Sequence, residues 1–206
     1  MGSNILRTAE PLKCQIIDYF IAQSDNIIIG NEVMYGSQRK VVDLLMLKDK
    51  SLGAIEIKGD NDNLKLLPFQ MEEYSKVFDY IFLFSTKKHE KAIMEMLPNN
   101  VGLFIIEDGI INRVKIPRKI QKHDKMEMLY SINTTFLVKN GIKFNENSDV
   151  TRLSAKRKSL LWIHSILYEF WYSRLYAPFA SYVKERGGVS HLDDLLLLNG
   201  RHIICH

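Results

Sequence analysis

The sequence has few of the features that mark secreted, membrane-spanning or repetitive proteins. Its 206 residues include two cysteines, Cys14 and Cys205. Two cysteines give no disulfide framework, which is typical of a reducing compartment. No apolar run reaches the length that spans a bilayer, since His164 and Glu169 interrupt the most aromatic stretch. We find no charged leader with an apolar segment behind it, no internal repeat and no low-complexity segment. These absences predict a soluble, cytoplasmic, globular protein without a membrane partner.

The composition permits a proper hydrophobic core, because 46% of the residues are hydrophobic. The formal net charge of +4 is unevenly distributed. Residues 1–100 carry 12 basic and 14 acidic side chains, and residues 101–206 carry 16 basic and 10 acidic ones. The end of the chain, 201–206, contains three soft metal ligands but no second ligand pair, so we expect no zinc site there.

Two basic clusters stand out in the second half of the chain. Such clusters can neutralise backbone phosphates without reading base sequence, although a charge run is more often a solvated helix face. Beside a phosphodiesterase site they would indicate a nucleic-acid footprint, with Arg118 and Lys119 as candidate substrate-binding residues. The clusters comprise Arg113, Lys115, Arg118, Lys119, Lys122 and Lys125, and then Arg152, Lys156, Arg157 and Lys158.

The strongest local signal is a predicted β-hairpin with acids on one face. Two apolar runs, 41–47 and 52–58, flank the polar residues 48–51. Pairing outward from a turn between Asp49 and Lys50 puts Leu47 opposite Leu52, Leu45 opposite Ala54 and Asp43 opposite Glu56. Lys58 then shares a face with Glu56, because side chains two apart along a strand point the same way.

The two opposed carboxylates point to a divalent cation. Directly opposed residues have Cβ atoms about 5 Å apart, where like charges destabilise a sheet unless something offsets them. Mg²⁺ takes carboxylate oxygens and water as ligands. An acid followed by Lys at the end of an apolar strand is common without any function. Asp43 within so apolar a run is rarer, since a buried carboxylate is costly unless it is paired or bound to metal.

Asp43, the Glu56-Ile57-Lys58 string and the later Gln70 and Tyr74 together resemble the PD-(D/E)XK nuclease superfamily, which has the restriction-endonuclease-like fold. The longer string Glu56-Ile57-Lys58-Gly59-Asp60-Asn61-Asp62-Asn63-Leu64, with Gln70-x-x-x-Tyr74, is similar to a small bacterial family of that superfamily. Two departures are that Val42 stands where the superfamily name has Pro, and that Gly59 stands in the position of a serine. The resemblance covers about residues 31–84 firmly and residues up to about 129 by element order.

The resemblance implies a metal-dependent hydrolysis of DNA. Asp43 and Glu56 would ligate one or two Mg²⁺ or Mn²⁺ ions, and Lys58 would orient or activate the attacking water. Gln70 and Tyr74 lie four residues apart and share one helical face, so both could reach the substrate or Lys58. Tyr74 could equally pack in the core; we expect Gln70 to be functional and Tyr74 to pack largely with its hydroxyl toward the site.

Three further acids lie near this motif. Glu32 is a candidate third metal ligand, because superfamily members often carry a glutamate upstream of the aspartate; the alternative is a solvated charge at a strand end. Asp60 and Asp62 are expected to be turn and capping residues, because Gly-Asp-Asn-Asp-Asn is a turn signal in front of a helix.

The element pattern predicts an α/β fold with a mixed central sheet flanked by helices and an α-helical C-terminal extension. We expect a nuclease-like core over residues 1–138 and a helical region over residues 139–206. Expected helices span 12–22, 67–78, 88–97, 125–138 and 154–184, with further strands at 80–85, 101–106 and 110–116 and a linker at 139–154.

Aromatic side chains crowd residues 165–179. They could stack on single-stranded bases, form a buried helical interface, or serve as a surface for a homo-oligomer or another protein; the buried interface is the commonest of these. The predicted function is therefore a Mg²⁺- or Mn²⁺-dependent deoxyribonuclease acting in repair, recombination or defence against foreign DNA. The alternatives are a catalytically silent nucleic-acid-binding module or a partner-dependent nuclease subunit.

Overall fold

The computed structural model of the chain describes residues 9–199, so Cys205 and the predicted absence of a zinc site at 201–206 lie outside the described residues. The strands are β1 (Ile27–Tyr35), β2 (Lys40–Lys48), β3 (Ser51–Lys58), β4 (Tyr80–Thr86), β5 (Gly102–Glu107) and β6 (Ile110–Lys115). The α-helices are α1 (Ala9–Ile21), α2 (Leu67–Ser75), α3 (Glu90–Met96), α4 (Lys125–Tyr130), α5 (Thr134–Lys139), α6 (Ser148–Lys156) and α7 (Leu160–Glu185), with 3₁₀ helices at Lys87–His89 and Leu192–Leu198.

The six strands form a single mixed sheet whose spatial order follows the chain. The pairs β1–β2, β2–β3 and β5–β6 are antiparallel, whereas β3, β4 and β5 run parallel. Parallel neighbours need a crossover connection, which α2 and α3 supply. The predicted mixed α/β sheet with flanking helices and a helical C-terminal region is confirmed.

The β2–β3 hairpin is confirmed in the predicted register. Leu47 pairs with Leu52 and Leu45 with Ala54. The turn residues Asp49 and Lys50 have φ of 48° and 60°, the left-handed conformation that a two-residue type I′ turn requires at both positions. The ladder ends at the pair of Leu44 with Ile55, which puts Asp43 and Glu56 at the next level.

Aromatic contacts fix α1 and α7 on the sheet. The ring of Phe20 on α1 meets those of Phe82 and Phe84 edge-on, with centroids 5.7 Å apart in each case. Trp171 on α7 stacks on Phe78, which follows α2, at 5.7 Å and an interplanar angle of 5°. The buried residues of α7 therefore share one hydrophobic core with the sheet.

Three predicted helix boundaries after residue 120 are wrong, and side-chain caps explain them. The single helix expected over 125–138 is divided into α4 and α5, because Asn133 accepts a hydrogen bond from Phe136 N and starts a new helix. The expected linker contains α6, which Asn147 caps. Ser159 caps α7, which therefore begins at Leu160 and not at residue 154.

The aromatic stretch 165–179 divides between core and surface. Phe170, Trp171 and Phe179 are buried, whereas Tyr172 and Tyr176 are 37% and 53% exposed. The expected buried interface therefore accounts for only part of the stretch. Within residues 9–199, no helix combines the length and the apolar character that crossing a membrane requires.

Candidate metal and nucleic-acid site

The hairpin brings the carboxylates of Asp43 and Glu56 together. Ile57 N donates a hydrogen bond of 2.8 Å to Asp43 Oδ2, so the Asp43 side chain takes the place of the next backbone acceptor beyond the ladder. Asp43 is partly buried and Glu56 is 3% exposed. Two carboxylates side by side and largely shielded from water lower the stability of the fold unless hydrogen-bond donors or a cation offset their charge.

Three donors surround the carboxylate of Glu56. Lys58 Nζ lies 2.6 Å from Glu56 Oε1, and Gln70 Nε2 donates to the same oxygen at 2.8 Å. The hydroxyl of Tyr74 donates to Glu56 Oε2. Lys58 Nζ also donates to Gln70 Oε1 at 3.1 Å, so the cluster closes on itself.

Helix α2 sets the positions of Gln70 and Tyr74. Pro68 lies in its first turn, where the missing N–H leaves no acceptor unpaired. The i, i+4 spacing points both side chains at Glu56 and Lys58 from the same helical face. Tyr74 is 1% exposed, and its ring contacts those of Tyr35 and Phe78. Tyr74 thus packs in the core and also turns its hydroxyl to the site.

Burial controls the protonation of this cluster. Desolvation, and then the charge of Glu56, raise the pKa of Asp43 from 3.8 to about 7. The hydrogen bond from Ile57 N and the charges of Lys13 and Lys58 act in the opposite direction but are outweighed. Desolvation and the neighbouring carboxylates raise the pKa of Tyr74 well above 10. Tyr74 therefore remains a hydrogen-bond donor at any physiological pH, and Asp43 is the acid that a cation would ionise.

The structure places Glu32 inside β1 and not at a strand end. Asn31 pairs with Leu44 and Val33 with Val42, so Glu32 stands level with Asp43. Its Oε1 lies 3.2 Å from Nζ of Lys13, a residue of α1 that is only 4% exposed. Within residues 9–199, no three His, Cys, Asp or Glu side chains are grouped closely enough to hold a metal ion. In this conformation Glu32 is held by Lys13 and does not join Asp43 and Glu56.

Sequence reasoning did not identify Lys13, although a signal was present. Lys13 lies three and four residues before Ile16 and Ile17, so the helical period puts it on the buried face of α1. A lysine at such a position is rarely buried without a partner.

Hydrogen bonds within and onto the turn after β3 account for the positions of Asp60 and Asp62. Asp62 Oδ2 accepts from Gly59 N at 2.6 Å, which confirms Asp62 as a turn residue. Lys88 Nζ donates to the carbonyl oxygen of Asp60 at 2.6 Å. These contacts fix the chain between Lys58 and α2.

Arg118 and Lys119 are exposed and lie away from the carboxylates. Lys119 lines a cavity of about 640 Å³ together with Asp79. Asp79 is bonded to Leu52, which lies four residues before Glu56, a distance of about 13 Å along a strand. Lys125 Nζ donates to the carbonyl oxygens of Lys156 and Lys158, so the two basic clusters adjoin.

A second buried polar cluster, which the sequence did not suggest, centres on Asp79. This residue is 2% exposed. Its Oδ2 accepts from Leu52 N at 2.8 Å and lies 2.7 Å from His164 Nε2, and its Oδ1 lies 3.5 Å from His123 Nε2. Because the partners come from β3, the segment before α4, and α7, the cluster ties three parts of the fold together.

We expect Asp43→Asn to raise the stability of the metal-free protein at pH 8. A carboxyl whose pKa is raised from 3.8 to about 7 on folding favours its protonated form, so its ionisation costs stability that grows as pH rises between those values and is constant above them. The amide of the new side chain would keep an oxygen for Ile57 N. Urea unfolding with EDTA should show a gain of about 4 kcal/mol at pH 8, where the pKa raised from 3.8 to about 7 acts in full, and a gain of about 1–2 kcal/mol at pH 5.

The control for this substitution is Asp25→Asn, at an exposed position. It should change stability by less than about 0.5 kcal/mol. A loss of stability in Asp43→Asn at pH 8 would contradict the raised pKa of Asp43.

Comparisons with known proteins give a family and a distant structural likeness. The family model described as bacteriophage P4 protein cII matches residues 3–188. No curated protein matches the chain. A solved structure of a protein of unknown function from Silicibacter pomeroyi is 16% identical, covers 58% of this chain and 77% of its own, and gives a TM-score of 0.43.

Proposed function

The chain belongs to the bacteriophage P4 protein cII family, and we propose that in this member the cluster around Glu56 is the centre of a Mg²⁺- or Mn²⁺-dependent nuclease that hydrolyses DNA phosphodiester bonds. It would act in the cytoplasm, in repair, recombination or defence against foreign DNA. The observation that carries the proposal is the adjacency of Asp43 and Glu56, with Lys58 2.6 Å from Glu56.

The residues present fit a hard divalent cation. Asp43 and Glu56 supply carboxylate oxygens from neighbouring strands, and burial together with the charge of Glu56 raises the pKa of Asp43, as expected of a pair that lacks sufficient positive charge. Two carboxylates and water are a common ligand set for Mg²⁺. A bound ion would polarise the scissile phosphate and lower the pKa of a coordinated water.

The other side chains of the cluster have positioning roles. The ammonium group of Lys58 is held between Glu56 and Gln70, where it can donate to a phosphate oxygen or orient the attacking water. Tyr74 fixes Glu56 through its second oxygen. Gln70 is only partly buried, so it is the member of the cluster best placed to contact substrate.

A nucleic-acid-binding module without turnover is the second candidate. Its support is that Glu56 already accepts hydrogen bonds from Lys58, Gln70 and Tyr74, so this carboxylate has its partners without a metal ion. The adjoining basic clusters serve either candidate, since they would hold backbone phosphates. The exposed Tyr172 and Tyr176 of α7 offer a surface for a second copy or a protein partner.

Calorimetric titration with Mn²⁺ separates the two candidates. For the nuclease we expect wild type to bind Mn²⁺ and Glu56→Gln to bind it about 10–100-fold more weakly or not at all. Glutamine keeps one acceptor oxygen for Lys58, so the variant should still fold. The matched control Glu95→Gln, at an exposed position of α3, should bind as wild type does. Equal Mn²⁺ affinity in wild type and Glu56→Gln would favour the module.

A further inference from the structure

Three carboxylates stand in one row across the sheet. The register of β1 with β2 places Glu32 level with Asp43, and the register of β2 with β3 places Asp43 level with Glu56. Neighbouring strands lie about 4.8 Å apart, so Asp43 has an acid level with it on the strand at each side.

Two lysines from different elements face this row. Lys58 is bonded to Glu56, and Lys13 is 3.2 Å from Glu32. Both are buried, with 8% and 4% exposure. A lysine so well buried is held there by its partners.

The backbone of Glu32 is strained where it meets Lys13. Its φ is 53°, in the left-handed region that a side chain other than glycine adopts at a cost. Such strain persists only where the surroundings hold it, and it concentrates at functional sites. The contact with Lys13 is one of the interactions that hold the Glu32 carboxylate in place.

We propose that the ammonium group of Lys13 takes the place that a second metal ion would otherwise fill beside these three acids. The site then binds one divalent metal ion through Asp43 and Glu56, and Glu32 is not a metal ligand. The inference rests on the proposed metal-dependent function and specifies its metal stoichiometry.

Charge counting favours one ion over two. With all groups ionised, Glu32, Asp43 and Glu56 against Lys13 and Lys58 leave one negative charge. One divalent cation leaves one positive charge, which a single phosphodiester group neutralises. A second ion about 3.5–4 Å from the first, as in two-metal sites, would leave three positive charges in a buried place.

The test is Mn²⁺ titration of the full chain by calorimetry, comparing wild type with Lys13→Met. Wild type should bind one ion. The methionine variant removes one positive charge beside the acids, so it should bind a second ion, or bind the first about tenfold more tightly because one cation fewer repels it. Lys13→Arg keeps the charge and should still bind one ion. Circular dichroism and thermal melting show whether each variant is folded.

A double variant keeps the test decisive if Lys13→Met does not fold. Lys13→Met with Glu32→Gln removes both partners of the pair and leaves the local charge unchanged, so it should bind one ion within about threefold of the wild-type affinity. A larger loss in this variant would make Glu32 a ligand and overturn the proposal. Two ions bound to wild type, or an unchanged single site in folded Lys13→Met, would also overturn it while leaving the nuclease proposal standing. No Mn²⁺ binding to wild type would instead reject the metal-dependent function itself.

Discussion

Replacement of Lys58 by methionine is expected to lower metal-dependent DNA cleavage by about 10²–10³-fold, which is the usual cost of removing one donor that stabilises charge in a transition state. Lys58 is bonded to Glu56 and also contacts Gln70. Methionine has a similar length and no charge, so the loss would report the ammonium group. The rate under single-turnover conditions is the quantity to measure.

The matched control for Lys58→Met is Lys91→Met, at an exposed position of α3. It should cleave at the wild-type rate. Because Lys58→Met leaves Glu56 with one donor fewer, its fold must be checked by circular dichroism. A folded Lys58→Met that cleaves as fast as Lys91→Met would remove Lys58 from the catalytic site.

Asp79→Ala is expected to lower the free energy of unfolding by several kcal/mol, because each buried donor left without its acceptor costs about 1–3 kcal/mol. The substitution would leave Leu52 N, His123 and His164 without their common acceptor, Asp79, which is itself 2% exposed. It would also loosen the attachment of α7 to the sheet. Urea unfolding at pH 7 measures the loss, and Asp25→Ala, at an exposed position, is the control.

The contribution of Asp79 to stability should depend on pH in a defined direction. Desolvation alone would raise its pKa, but hydrogen bonds with His123 and His164 and from Leu52 N outweigh it and hold the pKa of Asp79 well below its usual value of 3.8. A carboxyl with a lowered pKa in the folded state stabilises the protein fully above its unfolded pKa and loses that contribution as pH falls further. The difference between wild type and Asp79→Asn should therefore shrink below about pH 4. A difference that grows in acid would contradict this account of Asp79.

Local patterns in the sequence were sufficient for the hairpin and for α2. The alternation in residues 52–58 and the polar turn fixed which residues of β2 and β3 face each other, because a slip of one residue would put Asp43 on the wrong face. The four-residue spacing of Gln70 and Tyr74 fixed the face of α2 that meets Glu56. Both inferences depend on neighbours in the chain.

Contacts between distant segments could not be read in the same way. Asp79, His123 and His164 are separated by more than forty residues at each step, and nothing in their local surroundings marks them as partners. The left-handed backbone of Glu32, with φ of 53°, likewise has no local signal in the sequence. The sequence showed that Arg118 and Lys119 are basic, but it did not show how far they lie from Asp43 and Glu56. The structure places Lys119 on the same cavity as Asp79.

Two of the wrong predictions in the helical region, those for α5 and α6, could have been avoided, because an N-cap residue precedes each helix. Asn133 and Asn147 both precede helices that they cap, yet the first lay within a longer apolar pattern and the second within a polar stretch that suggested a linker. Asparagine is a strong N-cap residue, so a search for caps before a search for periodicity would have located α5 and α6.

The central claim is that Asp43, Glu56 and Lys58 form a metal-dependent phosphodiesterase site, and its most direct test is cleavage of labelled linear, circular, branched and single-stranded DNA in the presence of Mn²⁺. The account predicts that wild type cleaves at least one of these substrates, that EDTA abolishes the cleavage, and that folded Glu56→Gln shows none of it. Cleavage by Glu56→Gln at the wild-type rate, or the same cleavage by wild type in EDTA, would contradict it.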